Sequence, residues 1–172
     1  MAEKAATKIE FFANLSVIAV ALLGGAVLLQ SLNPGTPAAP KPLAGAGAPR
    51  AGTKLLLPGV DWARHEQTVV LVLSTQCHFC TESAPFYQRL AKGVQSRDFG
   101  LVAVFPQEAV RGEIYLKDLG VSVHQVIQSH PSKLGVGGTP GLILADGEGV
   151  VSHAWIGRVS PERESEIVAQ LK

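Results

Sequence analysis

The chain has 172 residues and carries Lys+Arg 15 against Asp+Glu 14, a formal net charge of +1. That length accommodates one ordinary domain with accessories, and the near-neutral balance gives no electrostatic reason to expect nucleic acid or another strongly charged partner.

No charged residue occurs from Phe11 to Pro40, and Phe11 to Leu29 is almost continuously apolar. A bilayer core needs about 20 such residues in a helix, so residues 11–32 are predicted to form a transmembrane anchor in contact with lipid. A cleaved signal peptide would have a shorter apolar region and a small-residue site closer to it than Ala44-Gly45-Ala46. Lys4 and Lys8 precede the span closely, whereas Lys41 and Arg50 follow at a greater distance. This bias assigns residues 1–10 to a cytoplasmic tail and everything after the span to the extracytoplasmic, periplasmic side of a single-pass inner-membrane protein. Residues 33–53, with Pro34, Pro37, Pro40, Pro42 and Pro49, have the composition of a flexible linker. Residues 54–172 remain for one domain.

Within that domain strand and helix signals alternate, which predicts an α/β fold. Val69 to Leu73 is a continuous β-rich run, as expected of a central strand buried on both faces. A helix after Cys80 carries Phe86, Tyr87, Leu90, Ala91 and Val94 at helical spacing and stops around Gly93. Leu101 to Phe105 reads as a strand, Glu108 to Leu119 as a helix, Val121 to Ile127 as a short strand, and Ser129 to Leu134 as a short helix. Leu142 to Leu144 and Val150 to Ser152 flank the turn Asp146-Gly147-Glu148-Gly149, which predicts an antiparallel hairpin. Ser160 and Pro161 open a last helix with Glu162 and Glu164 in its first turn and Ile167, Val168 and Leu171 facing inward. Trp62 and Trp155 are assigned to the core.

The chemistry is carried by Cys77-His78-Phe79-Cys80, the whole cysteine content of the chain, placed where a buried strand hands over to a helix. Unpaired backbone N–H groups and the positive end of the helix dipole stabilise a thiolate there. Two intervening residues let the second sulfur reach the first, so a mixed disulfide formed at Cys77 is resolved by Cys80. Zinc would need further ligands, and His65, His124, His130 and His153 lack paired spacing. Haem attachment would need histidine where Thr81 stands. A purely structural bridge across two residues closes too small a loop to stabilise much. No metal and no cofactor beyond the Cys77–Cys80 disulfide itself is expected.

From Lys54 to Lys172 the chain resembles the thioredoxin-like superfamily. Pro85, five residues after Cys80, stands where that family kinks its active-site helix, and Gly135-Val136-Gly137-Gly138-Thr139-Pro140 is similar to its cis-proline loop. The resemblance implies a central mixed sheet flanked by helices, and a loop packed against the cysteines in which the backbone of Thr139, beside Pro140, pairs with substrate. The Gly-Thr-Pro run is similar to that of the DsbC and DsbG isomerases. The layout of span, linker and one domain resembles the anchored TlpA, ResA and CcmG type, which reduces extracytoplasmic disulfides, often in cytochrome c maturation. Many members of that type carry an acid three positions after the second cysteine. Here Ser83 occupies that position and Glu82 precedes it, a rotation of about 100° on a helix.

His78 and Glu82 are thus the candidates for tuning the thiols, with Glu82 read first as an ordinary first-turn glutamate, and Phe79 is a candidate docking surface. The expected function is a membrane-anchored thiol–disulfide oxidoreductase, reducing rather than oxidising, with protein thiols or disulfides as substrates and a membrane or periplasmic electron donor or acceptor. A peroxiredoxin is disfavoured because Val70 stands where a proline is required, and a Sco-like copper role because it needs three residues between the cysteines. The other class is a non-catalytic thioredoxin-fold binding or assembly subunit of a membrane complex.

Overall fold

The structure, a computed structural model, describes residues 47–95 and 98–171. The expected cytoplasmic tail, anchor and first part of the linker lie outside these residues. Among the described residues no helix is long and apolar enough to cross a membrane.

Among the described residues five strands form one mixed sheet: β1 (Gln67–Val72), β2 (Phe99–Phe105), β3 (Gln125–Gln128), β4 (Gly141–Asp146) and β5 (Val151–Ile156), in the order β3-β2-β1-β4-β5. β1 lies parallel to β2, with Val70 opposite Val102, and antiparallel to β4, with Val70 opposite Ile143. The central position of β1 explains its unbroken apolar sequence. Val69 and Leu71 enter one core and Val70 and Val72 the other, because successive side chains of a strand point to opposite faces.

The first face is covered by helices: α1 (His78–Glu82), α2 (Ala84–Gln95), α3 (Ala109–Asp118) and α4 (Pro161–Gln170). Phe86, Leu90 and Val94 of α2, Leu116 of α3 and Ile167 of α4 share its core. α3 lies so near β2 that a Cβ on Gly112 would sit 2.6 Å from the Phe105 ring. Among the described residues no long helix covers the second face. A 3-10 turn (Pro131–Leu134) and the irregular strap of residues 47–60 cover it with Leu134, Val136, Leu55 and Leu57.

Residues 47–53, read as the end of a flexible linker, are bonded to the sheet edge: Gly52 N–H donates to Val151 O, and Val151 N–H to Thr53 O, both at 2.8 Å. The expected strand at Val121 to Ile127 shortens to Gln125–Gln128. Val121 and Val123 are apolar because they pack on the first core, not because they join the ladder. Trp62 and Trp155 lie half-buried at the rims of the two cores rather than inside them.

Candidate active site

β1 ends at Val72, and Leu73 N–H still donates to Val104 O at 2.9 Å. The chain then turns through Ser74. Cys77 N–H donates to Ser74 O at 3.1 Å, and the Gln107 side-chain amide donates to Ser74 Oγ at 3.0 Å from the loop after β2. Cys77 thus becomes the N-cap of α1, with extended backbone and its Sγ accepting the Cys80 N–H at 3.2 Å. A sulfur in that position satisfies one of the orphan donors of a helix start, as a capping oxygen would. Cys77 is half-buried, and Cys80 is fully buried.

α1 stops at Ser83, whose hydroxyl donates to Phe79 O at 2.8 Å, and α2 restarts with Pro85 in its first turn. The break fits a residue that has no N–H to continue the ladder of the preceding turn. It also lets α1 and α2 follow separate paths, so the sulfurs stay at the carboxyl end of β1.

The Thr139–Pro140 peptide bond is cis. Its loop meets the cysteines directly: the Cys77 thiol donates to Thr139 O at 3.4 Å. From the other side, Gly157 N–H donates to Pro140 O at 2.7 Å, so the end of β5 borders the loop as well. Both cysteines are free thiols. Burial pushes the Cys80 thiol up from 9.0 to about 12, and its contact with the Cys77 side chain adds to the rise. The Ser74 backbone and Thr139 oppose the rise. Tyr87, buried in the same core, is pushed up by burial and then by the charge of Cys80, and Tyr115 is raised for the same two reasons, opposed by its bond to Thr81.

The two candidates for tuning pair with each other. His78 Nε2 and Glu82 Oε1 are 3.0 Å apart, and Arg158 Nη1 donates to Glu82 Oε2 at 3.0 Å. Glu82, expected as a first-turn glutamate, is instead the last residue of α1 and faces an imidazole and a guanidinium. Phe79, two residues after Cys77, is 53% exposed. Next to this cluster is a cavity of about 460 Å³ lined by Glu82, Pro85, Arg89, Arg158 and Glu164, with Arg89 paired to Glu164.

Several site residues escaped sequence reading: Ser74 and Gln107, which hold the turn before Cys77, Gly157, and the hydroxyl pair of Thr81 Oγ1 and Tyr115 Oη at 2.9 Å. Ser74 and Gln107 follow the carboxyl ends of β1 and β2, where open α/β sheets gather their functional groups. That rule was the available signal. Among the described residues no cluster of three or more His, Cys, Asp or Glu side chains is arranged to hold a metal.

No protein-family model matches the chain, and no curated protein matches it. Solved structures do. A thiol:disulfide interchange protein of the thioredoxin family from Chlorobium tepidum is similar at 21% identity and TM-score 0.56, over 72% of this chain and 99% of that one. The thioredoxin domain of a thiol-disulfide oxidoreductase from Bacteroides vulgatus is similar at 13% identity and TM-score 0.57, over 73% and 100%. StoA from Bacillus subtilis is similar at 16% identity and TM-score 0.51, over 63% and 84%.

Proposed function

We propose that this chain, whose fold is thioredoxin-like, is a thiol–disulfide oxidoreductase that reduces disulfides of protein substrates outside the cytoplasm while anchored in the membrane by residues 11–32. One observation carries the reading: an accessible Cys77 caps a helix with its sulfur bonded to Cys80 N–H and to the carbonyl beside a cis proline, over a buried Cys80. That arrangement suits a nucleophile and a resolving thiol.

In the proposed cycle the Cys77 thiolate attacks one sulfur of a substrate disulfide. A mixed disulfide forms, and the first substrate sulfur leaves as a thiolate. Cys80 then gives up its proton and attacks Cys77 Sγ. The Cys77–Cys80 disulfide forms, the second substrate sulfur leaves, and the proton passes to that leaving thiolate. Two electrons have moved from the dithiol to the substrate, and a donor dithiol must return them. Thr139 and Pro140 border the path of an extended substrate segment, and Phe79 gives it apolar surface.

The reducing direction is supported by the surroundings of His78. A lone imidazolium beside the attacking sulfur would favour the reduced form and make the pair an oxidant. Here the imidazole is engaged by the Glu82 carboxylate. The anchor rests on the apolar run from Phe11 to Leu29.

Equilibration of the purified full chain with glutathione redox buffers tests both parts. A potential near about −270 mV is expected for a reductant, and one near about −120 mV would reverse the direction. Cys77→Ser should reduce exchange with a disulfide-bonded protein to the uncatalysed rate. Undiminished exchange in that variant would remove the catalytic reading.

A further inference from the structure

Besides its bonds to the preceding 3-10 turn, the loop that carries Thr139 and Pro140 is tied to more distant segments by three hydrogen bonds. Two come from the site: Gly157 N–H to Pro140 O at 2.7 Å, and the Cys77 thiol to Thr139 O at 3.4 Å. The third comes from the strap, where the Gly47 carbonyl accepts Gly137 N–H at 2.6 Å. The backbones nearly touch at this crossing. A Cβ on Gly47 would lie 2.9 Å from Gly137 Cα and 3.1 Å from its nitrogen, and Gly47 has φ +106, a conformation that other residues rarely adopt.

The neighbours of the crossing give it leverage. Val136 and Pro140 are buried, but Gly137 and Gly138 between them carry no side chain with which to pack. Backbone bonds alone therefore guide the loop from the second core to the cysteines. The strap has its own anchors: Pro49 is buried against Gly135, Ala48 packs on the second core, and Thr53 is bonded to the sheet edge.

We propose that Gly47 is a positioning residue for substrate exchange: through Gly137 it sets the height at which Thr139 is presented over Cys77. The inference rests on the oxidoreductase reading and deepens it. The stretch that leads into the domain and the loop that receives substrate then share one joint, so a change at the Gly47–Gly137 crossing is felt at the site without touching either sulfur.

The test uses the full chain. In Gly47→Ala the added methyl group has no room, and the crossing must shift. The expected result is a rise of roughly tenfold in KM for a disulfide-bonded peptide, with alkylation of Cys77 by iodoacetamide within about twofold of native, because a small reagent needs no loop. Leu57→Ala is the control. It loosens the same strap away from the crossing and should lower stability while leaving KM unchanged. A native KM in Gly47→Ala, or an equal rise in Leu57→Ala, would overturn the proposal.

Amide hydrogen exchange gives a second readout that needs no activity. In the native chain Gly137 N–H should be protected together with Gly52 and Val151, and in Gly47→Ala its protection should be lost. Exchange of the native Gly137 amide independently of the strap would overturn the proposal even if the variant fails to fold. A native chain inert toward disulfides would sink the oxidoreductase reading, and the Gly137 amide would still decide whether the strap holds the loop.

Discussion

The two faces of the sheet are covered by different kinds of chain. On the first, α2, α3 and α4 bury Phe86, Leu90, Leu116 and Ile167 with backbone bonds satisfied inside each helix. On the second, the strap and the 3-10 turn bury Leu55, Leu57, Leu134 and Val136, and the strap takes its backbone bonds from the edge at Val151 and from the Gly137 loop. Cys77 and Cys80 belong to the helical side, while Thr139 and Pro140 arrive from the strap side. The site is where they meet, at the end of β1 and the start of β4, with Val72 opposite Gly141. The two sulfurs are thus placed by the strand-to-helix turn, and the Thr139–Pro140 loop also by long-range contacts.

The sharpest way to break this division is at the sulfurs. Cys80→Ser should stop turnover while leaving attack by Cys77 intact, so a mixed disulfide with a substrate peptide accumulates and is seen as a reducible adduct on a gel. Turnover that continues without an adduct would show that Cys80 does not resolve.

Paired core truncations weigh the two faces against each other. Leu90→Ala should cost about 4 kcal/mol, near the upper end for a leucine held in a helix-packed core, and Leu57→Ala about 2 kcal/mol, because an irregular strap can settle into the space. Urea unfolding of each variant measures this, and equal losses would mean the strap is packed as tightly as the helices.

Alkaline pH should destabilise the helical side first. Cys80 holds its proton to about 12 in the fold but ionises near 9.0 once exposed. Below about pH 9 both states are protonated and the stabilisation is complete; from there up to about 12 only the unfolded chain loses the proton, and stability falls. Cys80→Ala should flatten this slope, leaving the part due to Tyr87, whose proton is also held above its ordinary 10.0. A slope unchanged in the variant would remove Cys80 as its source.

The smallest effect belongs to the hairpin from which the strap hangs. Asp146 Oδ1 accepts the Glu148 and Val150 N–H groups, both at 2.9 Å, and these bonds lower its carboxyl below the usual 3.8. The lowered value means the contribution is present above that pH and fades as the carboxylate is protonated in acid. Asp146→Ala should cost about 1 kcal/mol at neutral pH, with the loss shrinking below pH 3.8. Thermal melts across pH would detect it, and faster amide exchange at Leu55, which donates to Gly149 O at 2.9 Å, would show that the strap is affected.

Much of this was legible in the order of residues. The run from Val69 to Leu73 announced a strand buried on both faces, Cys77 and Cys80 lay at its junction with a helix, and the Asp146 to Gly149 turn announced the hairpin; each is a local pattern of period, spacing or turn chemistry. The thioredoxin resemblance marked Pro140, and its cis bond is present. What tertiary structure alone decided is who touches whom across the chain: Glu82 turned to His78 and Arg158, Gln107 bracing Ser74, and Gly47 meeting Gly137. The same holds for residues 47–53, whose Pro- and Gly-rich composition marks a linker by itself, because nothing in a local sequence records a hydrogen bond to an edge strand about a hundred residues away.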